Sequence, residues 1–299
     1  MVDEADACKE ITVAMVKRRC RFKCCDKILL NALHKRGYWF RGLRKKMILT
    51  PDDVKERYAW SKKYKGKTRE WWKKKVHIHL DNHHFKAATT CGGRRLMAKR
   101  RVRGVYRRKQ KSLRSGHVKP DPKLRLNTGT KGFLKICGIG GGKVLVLSTI
   151  KGAWSGDQAA HYYTKVIKPA LQKRYPNRRR FTILEDNDPT GNVSKKGVAA
   201  KARCNLDVLK IPKRSPDLNV CDYALWSEVE KRLRLQERKM PAGKKETREQ
   251  FERRLDRTLR SLPQAFIDNS IGNLQERCQK LYDAEGGLFE EGGRSKRPL

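Results

Sequence analysis

Three aspartates in this chain of 299 residues occupy places from which carboxylates can meet: Asp81 in VHIHLDNHHF (76–85), Asp186 in FTILEDNDP (181–189) and Asp222 in SPDLNVCDYALW (215–226). Asp81 closes a segment in which Val76, Ile78 and Leu80 alternate with polar residues, and Asp186 closes the β-prone run FTILED. Both read as strands ending in an acid. If the two strands are neighbours, their ends lie about 4.8 Å apart and both carboxylates point into one crevice at the carboxyl edge of the sheet. Asp222 falls in the first turn of an apolar helix and can be brought in from there. Three carboxylates without a basic partner repel one another, and hard divalent cations, Mg²⁺ or Mn²⁺, relieve that repulsion. Two such ions about 3.5–4 Å apart stabilise the attacking and leaving oxygens of an in-line phosphoryl displacement. Any one of these aspartates alone reads more readily as a turn or cap residue; the joint arrangement points to chemistry.

Other residue sets offer different chemistry. Four of the seven histidines, His77, His79, His83 and His84, crowd around Asp81, and His77 and His79 share its strand face at a spacing that can chelate zinc. CRFKCC (20–25) resembles half of a zinc site, but no second pair of ligands follows at finger spacing. GIGGGK (138–143) lacks the spacing of a nucleotide-binding loop, with Cys137 and Val144 where Gly and Ser or Thr belong, which excludes a nucleotide cofactor. No Ser, Tyr or Cys is placed as a nucleophile beside a base. The distant acids make Asp81 the functional residue of its stretch and leave the histidines as its neighbours.

The elements that must position these acids follow from periodicity and punctuation. Residues 26–36 form a short amphipathic helix with Ile28, Leu29, Ala32 and Leu33 on its apolar face, closed by Gly37. A basic, aromatic connector follows (37–47), and Thr50-Pro51-Asp52-Asp53 starts a second helix that runs to about Tyr64. FLKICGIGGGKVLVLSTI (133–150) reads as two strands around a glycine turn, 155–175 as a helix interrupted near Pro169, 193–204 as a helix and 207–212 as a strand. RSPDLN (214–219) is a turn in which Asp217 is the helix-start acid, and 220–236 is an amphipathic helix whose buried stripe is Trp226, Val229 and Leu233. This is an α/β order with a mixed five-stranded sheet. Past Met240 the chain is helical and highly charged, with a frayed end (286–299).

Composition sets the partner. Lys and Arg number 73 against 31 Asp and Glu, a formal charge of +42 spread along the chain and interleaved with aromatics, as in WWKKK (71–75) and RGVYRRKQK (103–111). Such an excess points to a polyanion, nucleic acid first. Candidate phosphate contacts are Arg41, Arg44, Lys45, Lys46, Arg107, Arg108 and Lys109. No apolar run of about 18 residues spans a membrane, and the acidic N-terminus lacks the features of a signal peptide. The nine cysteines have no regular spacing, which implies reduced thiols in an intracellular protein.

LEDNDPTGN (184–192) followed by IPKRSPDLNVCDYALWSEVEKRL (211–233) resembles the second and third acid motifs of the mariner-type transposases, the Tc/mariner superfamily of cut-and-paste DNA transposons. HLDNHHF fills the place of the first motif, and RKKMILTPDDVKERYAWSKKY (44–64) resembles the segment before the catalytic domain. The chain departs from the family pattern at Asn82, where Glu is usual, and at Gly191, where the second motif commonly carries histidine.

The resemblance implies an RNase H-like catalytic fold at 76–240, preceded by a partial helix-turn-helix DNA-binding segment at 1–43 and a basic linker and helix at 44–75, and followed by a helical extension at 241–299. It implies an aspartate-ended triad, Asp81, Asp186 and Asp222, holding two Mg²⁺ or Mn²⁺ ions. The expected reaction is cleavage at terminal inverted repeats and transfer of the 3′-OH strand to target DNA at TA sites. A homodimer on duplex DNA is implied, nuclear if the source is eukaryotic. Two alternatives stand beside this reading: a transposase-derived DNA-binding protein without catalysis, and a basic RNA-binding protein in which the triad is accidental.

Overall fold

The computed structural model describes residues 13–36, 39–42, 44–45, 49–85, 104–107, 118–119, 133–241 and 246–289. They fall into two compact units, one within 1–50, 95–126 and 288–299, the other within 51–94 and 127–287.

In the first unit, helices α1 (Val13–Arg19) and α2 (Asp26–Lys35) bury Val13, Val16, Leu29 and Leu33 against each other. Ile28, expected on the apolar face of α2, is instead 60% exposed, because the buried stripe follows the i, i+4 pair Leu29 and Leu33. The expected connector contains strands β1 (Trp39–Gly42) and β2 (Arg44–Lys45). β1 pairs antiparallel with β4 (Gly104–Arg107), and β2 pairs parallel with β5 (Val118–Lys119).

The second unit opens with α3 (Pro51–Tyr64), which starts at the proline as its sequence requires. A further helix, α4 (Arg69–Lys75), is capped by the Thr68 hydroxyl, which accepts from the Trp71 amide. Strand β3 (Ile78–Phe85) is central in a five-stranded sheet of order β7-β6-β3-β8-β9, with β6 (Phe133–Gly140), β7 (Lys143–Ile150), β8 (Phe181–Leu184) and β9 (Leu206–Val208). β3 and β6 pair antiparallel, as do β6 and β7, whereas β3 with β8 and β8 with β9 are parallel. The mixed sheet with helices on its faces is an RNase H-like fold.

Three expectations are corrected. β3 does not stop at Asp81: it continues through the histidines because β6 pairs with it as far as Phe85↔Phe133. Long-range pairing overrides the polar composition of NHH. β9 ends at Val208, short of residue 212, with only the Leu209 amide reaching Ile183 O beyond it. The helix of 155–175 is α5 (Gly156–Tyr162) and α6 (Lys168–Arg174), joined by a π turn at Tyr163–Ile167 rather than broken at Pro169.

The β6–β7 turn is Gly141-Gly142, with φ of +53° and +74° at the two positions, which glycine adopts without strain. One sheet face packs Ile78, Leu80, Ile136 and Ile183 against Tyr163 and Ile167 of the π turn, Leu171 of α6 and Ala200 of α7 (Lys195–Arg203). On the other face lie α8 (Trp226–Arg238), α9 (Arg248–Arg260) and α10 (Gln264–Gly272), with α11 (Leu274–Asp283) packed against α3. There Phe133 meets Phe251, and buried Lys135 on β6 pairs with Glu252 and Asp256 on α9. Trp226, Val229 and Leu233 form the expected buried stripe of α8.

Candidate active site

The parallel register of β3 and β8, Ile78↔Ile183 and His79↔Leu184, continued along both chains, sets Asp81 beside Asp186 where β8 has just ended. Asp222 approaches from a separate anchor. The SPDLN segment forms a 3-10 turn at Pro216–Leu218, and Asp217 is buried under Arg57, whose Nη1 and Nη2 donate to its two oxygens at 2.8 and 2.6 Å. Arg277 Nη1 donates to the Asp217 main-chain oxygen at 2.8 Å. Asn219 Oδ1 then accepts from the Cys221 amide and opens the π turn Cys221–Leu225 that carries Asp222 into α8. Asp217 therefore locks the turn, where the sequence suggested only a helix-start acid.

Electrostatics shows that the three acids feel one another. Burial raises the Asp81 carboxyl well above the usual aspartate range, and the charges of Asp222 and Asp186 push it further. Asp222 is pushed up to about 6 by burial of its carboxyl and by Asp186, while a hydrogen bond from Asp81 works in the other direction. Asp186 is raised by burial and by the neighbouring Asp188 charge. Asp188 itself is a turn residue, its Oδ1 accepting from the Thr190 amide and hydroxyl.

Each strand acid takes a side-chain hydrogen bond on one oxygen. Trp226 Nε1 donates to Asp81 Oδ2 at 2.6 Å, and Asn192 Nδ2 donates to Asp186 Oδ1 at 2.5 Å. Trp226 is stacked on His83, with ring centroids 4.9 Å apart, and His83 faces Glu230 at 3.8 Å. Asn187 Nδ2 ties the loop to Ile211 O at 2.7 Å. Trp226 and Asn192 are site residues that sequence reasoning missed. Trp226 had one signal, its place one turn after Asp222 on the same helix face; Asn192 had none.

The donor set suits a hard divalent cation: two aspartates pinned through one oxygen each, a third in contact with the first, and no ion pair from lysine or arginine to any of them among the described residues. Among those residues no three His, Cys, Asp or Glu side chains close around a point as they stand. A cation there would relieve the mutual charge that raises Asp81 and Asp222.

Two of the histidines have other places in the fold. His77 Nδ1 accepts from the Thr182 amide at 2.9 Å. His79 is fully buried, and burial drives its pKa down to about 3, so it stays neutral in the interior.

The departure at Gly191 has a packing cause. A Cβ there would lie 2.1 Å from Trp154 Nε1, so the indole of Trp154 occupies the space that a larger residue would need. Of the expected phosphate contacts, Arg41, Arg44, Lys45 and Arg107 lie on β1, β2 and β4, opposite Val105, Val118, Lys119 and Trp39 respectively. Lys46, Arg108 and Lys109 lie outside the described residues.

The chain is 31% identical over 108 residues to the Tcb2 transposase of Caenorhabditis briggsae, and 29% identical over 109 residues to the Tc1 transposase of Caenorhabditis elegans. Each match covers 36% of this chain and spans only 36% of the curated relative's length. No family model matches. In structure it is similar to the Mos1 transposase paired-end complex with left transposon end, at a TM-score of 0.66 and 20% identity over 97% of this chain and 77% of that one. It is also similar to the Mos1 transposase catalytic domain with raltegravir and Mn, at 0.58 and 17% over 81% and 99%. Over that segment the sequence is similar to the Tc1-type transposases, and over nearly its whole length the fold is that of the Mos1 transposase.

Proposed function

We propose that this protein is a DNA transposase that cleaves phosphodiester bonds at terminal inverted repeats and joins the freed 3′-OH to target DNA at TA sites. The observation that carries the reading is that the parallel register sets Asp81 beside Asp186 and that the carboxyls of Asp81, Asp186 and Asp222 are all raised, first by burial, with Asp222 and Asp186 acting on Asp81 and Asp186 acting on Asp222. Their free oxygens would hold Mg²⁺ or Mn²⁺, two ions in the full site. Such ions polarise the phosphoryl oxygens and lower the pKa of an attacking water.

The chain's own residues do the rest. Trp226 orients Asp81 and Asn192 orients Asp186, while the Arg57–Asp217 lock sets where Asp222 begins its helix. The +42 charge supplies the affinity for duplex DNA, with the two-helix segment of 1–43 and the basic residues of 41–46 and 107–109 as its contacts. Structural relatives were captured as a paired-end complex and as a strand transfer complex, and the Mos1 catalytic domain was solved with Mn and with Mg. By that analogy two copies of this chain act on paired ends, in the nucleus where the cell has one. Intact acids and a packing reason for Gly191 favour this reading over a DNA-binding protein without catalysis.

The test is strand transfer. A duplex ending in the repeats that flank the coding sequence, incubated with the protein, Mg²⁺ and a supercoiled plasmid, should yield joined products whose junctions sequence to TA. Binding to that duplex without joining under either metal would sink the enzyme reading.

A further inference from the structure

Behind Asp186 lies a buried ionic cluster that phosphodiester cleavage does not itself require. Glu185 and Lys201 form an ion pair at 3% and 5% exposure, and the Tyr163 hydroxyl donates to the second Glu185 oxygen at 2.5 Å. Lys201 Nζ also donates to the main-chain oxygen of Asn192 at 2.8 Å. Replacing a buried ion pair by apolar side chains of similar volume is often neutral or stabilising, so stability alone does not explain the cluster. What it does is tie the β8 exit, the π turn that begins at Tyr163 and α7 to one residue, Asn192.

The amide of Asn192 has its orientation fixed. Trp154 Nε1 can only donate, and it lies 3.2 Å from Asn192 Oδ1, so that atom must be the oxygen. The amide nitrogen therefore faces Asp186, donating to its Oδ1 at 2.5 Å and to its main-chain oxygen at 3.2 Å. Trp154 is held in turn by its close packing on Gly191. The departure from the family pattern at Gly191 and the asparagine beside it thus belong to one arrangement.

We propose that Asn192 is the positioning residue for Asp186, and that Lys201, Glu185, Tyr163 and Trp154 exist at these positions to hold it. By pinning one carboxylate oxygen, Asn192 fixes the orientation in which the carboxylate can meet a cation. The proposal rests on the reading of Asp186 as a metal ligand.

The experiment measures Mn²⁺ binding to the full chain by the loss of the free-ion electron paramagnetic resonance signal, together with the thermal midpoint. Asn192→Leu should weaken Mn²⁺ binding by about tenfold to a hundredfold, the usual effect of removing a residue that orients a metal ligand. Lys201→Met alone strands the Glu185 charge and should lower the midpoint. Lys201→Met with Glu185→Leu should recover the midpoint and still bind Mn²⁺ at least tenfold more weakly, because the Lys201 bond to the Asn192 main-chain oxygen is then lost. A merely structural cluster would restore both together, and that result overturns the proposal. Parent-like Mn²⁺ affinity in Asn192→Leu overturns it as well while leaving Asp186 a ligand. No Mn²⁺ binding by the parent chain removes the metal reading, and the proposal with it.

Discussion

Replacing Arg57 by methionine tests how the fold presents Asp222. Arg57 is fully buried on α3, and besides its two bonds to Asp217 it donates to Ser215 Oγ at 2.8 Å, Gly286 O at 2.9 Å and Gly287 O at 3.3 Å. Methionine fills much of the same volume but leaves a buried carboxylate without its partner, a loss of about 3–5 kcal/mol. Arg277 remains beside Asp217, which places the electrostatic part near the lower end, about 3 kcal/mol. The orphaned Gly286 carbonyl adds about 1 kcal/mol. For a unit of this size each kcal/mol moves the thermal midpoint by roughly 2–4 °C, so a fall of about 8–16 °C is expected. The assay is thermal unfolding followed by circular dichroism, with Lys55→Met on the exposed side of the same helix as control. Arg57→Met combined with Asp217→Leu should recover most of the loss, since no charge is then stranded. A shift no larger than that of the control, or a double variant as unstable as the single one, refutes the reasoning.

The raised carboxyls give a pH signature. Acids that bind protons more tightly when folded stabilise the fold at low pH, and that contribution is lost as pH rises from about 4 through about 6, the value for Asp222. Metal-free protein should therefore lose about 1 kcal/mol between pH 5 and 7.5 relative to Asp222→Asn, a figure discounted for solvent screening because part of the Asp222 surface remains exposed although its carboxyl lies against the other acids. Mn²⁺ should raise the midpoint more at pH 7.5 than at pH 5, and equal shifts would contradict this. Trp226→Phe keeps a ring against His83 but removes the donor to Asp81, so metal-dependent cleavage should fall about tenfold, for a loss of roughly 1.5 kcal/mol, and its pH profile should move upward. A profile identical to the parent's would exclude that role. Gly191→Ala forces Trp154 to move and should cost about 1–3 kcal/mol, relieved by adding Trp154→Ala; a neutral Gly191→Ala in thermal unfolding would refute the clash.

Local chemistry was legible in the sequence wherever one residue type dictates geometry. Gly141-Gly142 announced the hairpin, and Thr50-Pro51 the start of α3. The alternation of Val76, Ile78 and Leu80 announced the core strand. What long-range pairing decides was not legible: β3 runs on through Asn82, His83 and His84 only because β6 lies alongside, and β1 with β4 joins residues far apart in sequence. The helical character of the basic segment before residue 75 was legible, but not the break that makes α4 a separate helix capped by Thr68. The same division holds at the site. Asp186 and Asp222 stand in sequence motifs, whereas Asn192 finds its partners in Trp154, Tyr163 and Lys201, whose approach depends on the packing of α5 and α7 against the sheet.

The central claim is that Asp81, Asp186 and Asp222 form one metal-dependent cleavage site. Its most direct measurement is nicking of a labelled repeat-containing duplex by the full chain with Mg²⁺, compared with Asp186→Ala under conditions in which both bind the duplex equally. The account predicts cleavage by the parent that chelation abolishes, and none by the variant. Cleavage by Asp186→Ala at the parent's rate would contradict it.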